Sequence, residues 1–479
     1  MVDSSSQAGP QCAQSNWMQG RLSMTGFTLS GRTIAAYVLP TAPLAALGLP
    51  LVVYVAPFYV SGLGLDQAQV GLVLIVARLL DLLIDPIIGW ASDTTRTRWG
   101  RRRPWLTAAV PFFVIGVFLL FMPPAGATIG WFAAWIILSY LAYSVATISH
   151  IAWGAELSGH YHERSRVQGW REFAGIAGFL LVLALPVLLE IFDPHATIVD
   201  KVSLMGWFVC ISMPITVLVT LLYVPEPPMP STAHKLDVGA AVKLIAGNKA
   251  LRKLLLADLL QGLAPGITGS LFIFMIAYYF QLPKAFSIVL FIYFVAGLLF
   301  VPMWIKLSYK ISKHRTLCAA LLYTSALMPI LLFLPKGEFW IIMPAFILFG
   351  VGYGAGGFLL RSIMADVIDI DTLATGSERS GLFYSLLVMT NKLGYAAAGL
   401  AYPVLSIVGF DGRPGAVNSP EAINGLGLTF VFLPLLFMLL TVWSMWNFPI
   451  DEFKQREVRE AIARKREAAA AEIAAMKID

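Results

Sequence analysis

Charged side chains are scarce in this sequence: 13% of its 479 residues are Asp, Glu, Lys or Arg, about half the share of an ordinary soluble domain. A chain so poor in charge cannot clothe its surface for water, which excludes a soluble globular protein. Cysteine is scarcer still. The three present, Cys12, Cys210 and Cys318, have no zinc-like spacing, and two of them fall inside apolar runs. That excludes a disulfide framework and leaves no metal motif or cofactor to propose. The N-terminal segment also lacks the basic cluster of a cleavable leader, because Arg21 is the only positive residue among the first thirty. That run is therefore expected to stay in the mature protein.

What the sequence has in excess is hydrocarbon, with 58% hydrophobic residues and a mean hydropathy of +0.75. Stretches of roughly 20 apolar residues cross a bilayer as helices that satisfy their own backbone hydrogen bonds. Twelve such stretches occur, near 33–60, 68–92, 104–122, 128–152, 172–191, 203–224, 254–280, 286–305, 316–334, 339–363, 381–408 and 424–448. The expected fold is an all-α integral membrane protein, and transport is the function it suits. Only Lys201, Lys284, Lys336 and Arg413 fall in the loops of one side, while Arg78 and Lys392 lie mid-span. The other basic residues crowd the opposite side, so both termini are expected in the cytoplasm. The net charge of +6 is then a signal of topology and not of a nucleic-acid partner.

A polar stretch from Pro225 to Asn248, containing PEPPMPSTAHK, separates six spans from six. The expected organisation is an N-terminal cytoplasmic segment (1–30), a first bundle (31–224), a cytoplasmic linker (225–250), a second bundle (251–449) and a cytoplasmic tail (450–479). The loop GWASDTTRTRWGRRRPW after the second span has a weaker echo after the eighth, MWIKLSYKISKHRT, as a duplicated half requires. The tail, rich in Ala, Glu, Arg and Lys, reads as a solvated helix.

Ionisable residues inside spans mark function, because burying each in lipid costs at least about 2.5–3.5 kcal/mol. Arg78, Asp81 and Asp85 in ARLLDLLIDPIIGW are spaced i, i+3, i+7 and share one helical face. One Arg neutralises one carboxylate. The second must find a cation or a proton, as a coupling site requires, although an ion pair pinning the helix to a neighbour uses the same residues. Pro86 is expected to loosen the helix there. Lys392 is the one basic residue deep in the second half and is assigned to the central cavity. In the fourth span Tyr143, Ser144, Thr147 and His150 form a polar stripe. It serves either interhelical hydrogen bonding or the cavity, and for His150 packing and proton sensing are both open. Asp258, a turn beyond Arg252 and Lys253, reads as lying near the membrane interface. Gly352, Gly354 and Gly357 fit a dinucleotide pattern but sit in an apolar span, so close helix packing explains them. Pro40, Pro43, Pro50 and Pro57 break the first span.

The run RLLDLLIDPIIGWASDTTRTRWGRRRPW (78–105) resembles the second-helix signature of the glycoside–pentoside–hexuronide:cation symporters of the major facilitator superfamily. AWGAELSGHYHERSRVQGWREF (152–173) and IMADVIDIDTLATGSERSGLFYSLLVMTNKLGYAAAG (363–399) are similar to two further regions of that family. The resemblance implies 12 transmembrane helices in two pseudo-symmetric six-helix bundles that rock about a central site. It implies a cation on Asp81, Asp85 and Ser144, with Arg78, Tyr143, Thr147, His150, Arg171 and Lys392 toward the substrate; counting Arg78, Arg171 and Lys392 against Asp81 and Asp85, the proposed cavity is positive and suits an acidic substrate. Melibiose permeases add one carboxylate in the first span and one in the fourth, where this sequence has Ala45 and Thr147, which argues against galactoside binding of that kind. Ile84 stands where a neutral oxygen would help a Na⁺ at Asp81 and Asp85, so coupling to H⁺ is expected in preference. The expected partners are membrane lipids and a small-molecule substrate: a sugar, a glycoside or a hexuronide. A lysolipid or other amphiphile on the same fold is the alternative. A membrane-embedded enzyme is disfavoured for want of a catalytic constellation. The protein is expected as a monomer in a bacterial inner membrane.

Overall fold

The computed structural model describes residues 29–50, 55, 58–158, 160–193, 195, 197–226, 245–377, 379–398, 401–411 and 417–475. Among these residues the chain is helical throughout, with one isolated β-bridge in the loop at Thr97 and Gly100. The first span, α1, is broken as its prolines require: Gly31–Val38 is followed after Leu39 and Pro40 by Thr41–Pro50, and Phe58–Gly62 adds a π turn. Pro57 lies outside the described residues. Then come α2 (Gln67–Thr94), α3 (Arg103–Phe121), α4 (Ile129–Glu156), α5 (Tyr161–Phe192) and α6 (Ile198–Tyr223).

The second half repeats the series with α7 (Lys249–Phe274), α8 (Phe286–Ile311), α9 (Lys313–Leu327) and α10, which is split into Phe339–Val351 and Ala355–Thr375. It closes with α11 (Ser380–Ala397, then Ala401–Ile407) and α12 (Pro420–Trp446), and α13 (Glu452–Ala475) follows. Nine helices among the described residues are long and apolar enough to cross a membrane. The other spans are α2, which carries Arg78, Asp81 and Asp85 in its middle, and α1 and α11, which are each in pieces. Pro86 does not interrupt α2, which runs unbroken across it.

Two apolar cores hold the halves. One is built from α1 to α6 around Phe113, Phe121, Phe132 and Trp153. The other is built chiefly from α7 to α12 around Phe272, Phe346, Phe358 and Phe430. Outward-facing Leu, Ile and Phe such as Leu83, Phe112, Leu218 and Leu299 are exposed, which is stable only in lipid. The linker lies mostly outside the described residues, but its first residues belong to a defined contact. Glu226 accepts from the backbone N–H of Arg101 at 2.6 Å and of Arg102 at 2.7 Å.

The basic-loop echo in the sequence becomes a pair of equivalent ion clusters at the linker end of the molecule. In the first half Arg102, capping α3, pairs with Asp93 at the end of α2 and at 2.8 Å with Glu156 at the end of α4. In the second half Lys313, opening α9, pairs at 2.6 Å with Asp366 of α10. Both clusters reach across the bundle interface. Asp93 accepts from the N–H groups of Gly381 and Leu382 at 2.8 Å each, so a carboxylate of one bundle caps the free N-terminus of α11 in the other. Arg164 of α5 meets Asp366 at 3.0 Å and Asp369 at 2.6 Å. These contacts hold the bundles together at the linker end.

The tail differs from the solvated helix expected of its composition. In α13, Gln455, Val458 and Ile462 are buried against the linker end. Arg459 pairs with Asp369 at 2.9 Å, and Lys465 donates to the Leu373 carbonyl at 2.9 Å. Its charged residues alternate with a thin apolar stripe that composition alone does not reveal.

Candidate functional site

Asp81 and Asp85 project from one face of α2, as their spacing dictates, and both are buried. Ser144 of α4 lies 2.5 Å from Asp81. The partner that holds them comes from the other bundle. Lys392 of α11 places its Nζ 2.8 Å from Asp85, 2.7 Å from Asp81 and 2.9 Å from Ser144. Its contact with Asp81 Oδ2 is a charge contact without a well-directed hydrogen bond. Arg78, which the spacing makes the natural neutraliser, sits 3.9 Å from Asp81 with its side chain 45% exposed, spread over the Tyr140 ring. The sequence suggested a surplus carboxylate; the fold supplies the missing cation from 307 residues away. Sequence could name Lys392 as buried and basic, but not say what it meets.

The two carboxylates, Ser144 and the ammonium form one cluster. The oxygens are few: two carboxylates and one hydroxyl.

Next to this cluster, separated by one residue of α4, opens a cavity of about 180 Å³. Tyr143 and Ser144 are consecutive, and the first faces the cavity while the second faces the cluster. The cavity is lined by Thr41, Leu44 and Ala45 of α1, Tyr143 and Thr147 of α4, a stripe of α5 from Arg171 to Phe179, Phe294 of α8, and Tyr353 and Arg361 of α10. Gly178 permits this, since a Cβ there would sit 2.4 Å from Ala42; α1 and α5 touch backbone to backbone.

Three polar atoms facing this region have no partner among the described residues: Thr41 Oγ1, Thr147 Oγ1 and Arg171 Nε. Arg171 is a buried guanidinium with no carboxylate within ion-pair distance among the described residues. Buried polar groups left this way ordinarily mark a place for a ligand or water. Glu172 and Arg361, which the sequence reading missed, form an ion pair of 2.5 Å across the cavity. Gly357 makes room for it, because a Cβ there would fall 2.9 Å from the Glu172 carboxylate. Glu172 lies inside the 152–173 run, beside Arg171, and Arg361 two residues ahead of the 363–399 run, so a signal for both was present in the sequence.

His150 is brought to neither place. It stacks on Tyr37 with ring centroids 4.3 Å apart, and its Nε2 lies 2.7 Å from the Tyr37 carbonyl. It is fully buried, so of the two readings of His150 the structure has the packed one. Asp258 is also not where its neighbours suggested. It is buried between α7 and α11, with Thr390 Oγ1 at 3.0 Å.

A charged cluster at mid-depth spanning two bundles, beside a polar cavity at the same interface, is the layout of a secondary transporter. Residues 36–452 match the family described as MFS/sugar transport protein. The chain belongs to that family. It is similar to the glucuronide carrier protein homolog of Escherichia coli, 23% identical over 440 residues, with 90% of this chain and 95% of the relative covered. It is also similar to the sodium-dependent lysophosphatidylcholine symporter 1 of Xenopus tropicalis, 22% identical over 473 residues, covering 86% and 88%. Among solved structures, the Escherichia coli fucose:proton symporter superposes with a TM-score of 0.63 at 14% identity, covering 86% of this chain and 99% of that one. The family member is an all-α integral membrane transporter of the sugar-symporter type, not an enzyme. Its two bundles carry the major facilitator fold.

Proposed function

We propose that the protein is a cation-coupled symporter for a sugar, glycoside or acidic sugar such as a hexuronide, working by alternating access. The observation that carries this reading is the position of Lys392, an ammonium from one bundle seated among the two carboxylates of the other. When the bundles part at this level, Lys392 withdraws and Asp81 and Asp85 are left together in a medium that cannot tolerate both charges. A cation must then bind. Exchange between Lys392 and the coupling ion ties the conformation to the ion gradient. The few oxygens and Ile84 favour H⁺ over Na⁺ as that ion.

The cavity supports a polar substrate. Its lining holds two guanidiniums against one carboxylate, with tyrosine and phenylalanine walls, and Arg171, Thr41 and Thr147 are the free hydrogen-bonding groups. An excess of positive charge suits a carboxylate-bearing sugar. An apolar tail channel, which a lysolipid would need, is not a feature of this lining. The side carrying the linker and the ion clusters is the cytoplasmic side, and the membrane is a bacterial inner membrane.

Uptake into proteoliposomes under imposed gradients tests the reading. A proton gradient should drive accumulation of a hexuronide or neutral glycoside, and Asp85→Asn should abolish accumulation while exchange survives. Accumulation driven by a Na⁺ gradient at fixed pH, indifferent to a proton gradient, would refute H⁺ coupling. Accumulation of lysolipids but of no sugar would refute the substrate class.

A further inference from the structure

One buried carboxylate has no place in the mechanism above. Asp258 lies in the middle of α7 and is 5% exposed, with no Lys or Arg within ion-pair distance among the described residues. Its position is fixed by close packing. A Cβ on Gly394 of α11 would lie 2.3 Å from the Leu259 carbonyl, and one on Gly262 would lie 2.6 Å from the Asn391 carbonyl. The two helices therefore touch through their backbones, and water has little room between them.

The hydrogen bonding at Asp258 accommodates the neutral acid. Thr390 Oγ1 is 3.0 Å from Asp258 Oδ2 and 2.9 Å from the carbonyl of Leu387 in its own helix. A hydroxyl has one proton to donate and lone pairs to accept with. The carbonyl can only accept. If the Thr390 proton goes to the carbonyl, the contact with Asp258 is satisfied only by a proton on the carboxyl group, donated to Thr390. If the proton goes to Asp258 instead, Thr390 is the donor; in either orientation an anion here is buried with no ion-pair partner among the described residues, which is costly and favours the neutral acid.

We infer that Asp258 is a second proton-binding site of the transporter, held as the neutral acid while the linker end is closed, and releasing its proton when Arg361 exchanges Glu172 for Asp258. This deepens the symport reading and rests on it for the role of the proton in transport. The groups facing Asp258 among the described residues are few. From α11 they are Thr390, Asn391 and Tyr395, and from α10 Arg361, which is within electrostatic reach. Across the interface stand Glu172 and, behind it, Arg171. The only ionisable residue of α12 is Glu421, in its first turn and remote from α7's middle. Lys392 is two residues from Thr390 but is committed to Asp81 and Asp85.

The exchange follows from which bundle owns each group. Glu172 belongs to the first bundle, and Arg361 and Asp258 to the second. Parting the bundles takes Glu172 away from Arg361 and leaves a partly buried guanidinium whose next carboxyl group among the described residues is that of Asp258. Loss of the proton turns this acid into the missing counterion: one O–H bond breaks, the proton leaves to water, and the charge created is compensated by Arg361.

Infrared spectroscopy on the purified, lipid-reconstituted protein tests this without knowledge of the substrate. At neutral pH the wild type should show a carboxylic-acid C=O band that shifts in D₂O, is lost in Asp258→Asn and persists in Asp85→Asn. An Asp258→Asn spectrum that superimposes on the wild type overturns the site. Thr390→Val provides a second test that does not depend on how Asp258→Asn folds. Removing the acceptor should move the band to higher frequency without abolishing it, and an unmoved band overturns the assignment. Arg361→Gln should keep the band at alkaline pH where the wild type loses it, and loss of both at the same pH overturns the exchange with Arg361. Because the band reports Asp258 directly, it is read even if uptake assays refute H⁺ coupling at Asp81 and Asp85.

Discussion

Lys392 meets oxygens of Asp81, Asp85 and Ser144 at 2.7 to 2.9 Å, so it neutralises more charge than any other single side chain at mid-depth. Lys392→Ala strands two buried carboxylates, and removing one partner of a buried pair costs about 3–5 kcal/mol. The expected result is a large fall in unfolding temperature in detergent at neutral pH, with the deficit shrinking at acid pH, where a proton replaces the lost ammonium. A fall of equal size at all pH values would show that lost packing, and not stranded charge, is the cause. Arg78→Ala should have a much smaller effect on stability, because its side chain is 45% exposed and 3.9 Å from Asp81, and exposed ion pairs contribute about 0–1 kcal/mol.

At the scale of elements, α2 and α11 meet at a contact that tolerates no side chain. A Cβ on Gly89 would lie 2.5 Å from the Gly381 carbonyl, and one on Gly381 would lie 2.5 Å from the Gly89 carbonyl. Both obstacles are backbone and cannot rotate away. Asp93 and Arg102 fasten the same joint, the one to the first N–H groups of α11 and the other to Ser380 at 2.7 Å. Gly381→Val should therefore hold the linker end open and reduce uptake at least about tenfold, given that a buried overpacking substitution costs about 1–3 kcal/mol. Thiol labelling reads the opening. A cysteine placed at Ser362, which faces Ser165 of the other bundle at 3.3 Å, should react faster in Gly381→Val than in its absence, in a background free of the native cysteines. Equal labelling rates would show that the joint does not govern closure.

The whole molecule is tied at the linker end by its own tail. Asp369 is shared by Arg164 of the first bundle, at 2.6 Å, and by Arg459 of α13, at 2.9 Å. Burial of Val458 and Ile462 adds roughly 1.5–3 kcal/mol for each apolar side chain so covered. Removing the tail after Asp451 should lower the unfolding temperature by several degrees and raise labelling at the Ser362 position. Arg459→Ala should produce part of both effects. An unchanged unfolding temperature in the truncated protein would show that α13 does not bear on stability.

Much of this was legible in the sequence because lipid is an unforgiving solvent. Span positions, the side rich in Lys and Arg, and the significance of Asp81, Asp85 and Lys392 follow from the cost of exposing backbone or burying charge in hydrocarbon, whatever the helices do next. Which charges meet is a different matter, because pairs such as Asp85 with Lys392, Glu172 with Arg361 and Arg164 with Asp369 join residues of different bundles that no periodicity links. His150 was open between packing and the cavity and packs on Tyr37; Asp258 looked interfacial and is buried against Thr390; the tail looked solvated and is docked. In each case the sequence showed the helical face but not what that face abuts. The sequence by itself determined that this chain spans a membrane and carries ionisable groups within it. Only the tertiary structure decided that one bundle supplies the carboxylates and the other the lysine, because a charge buried at an interface is balanced by whatever the opposing surface brings to it.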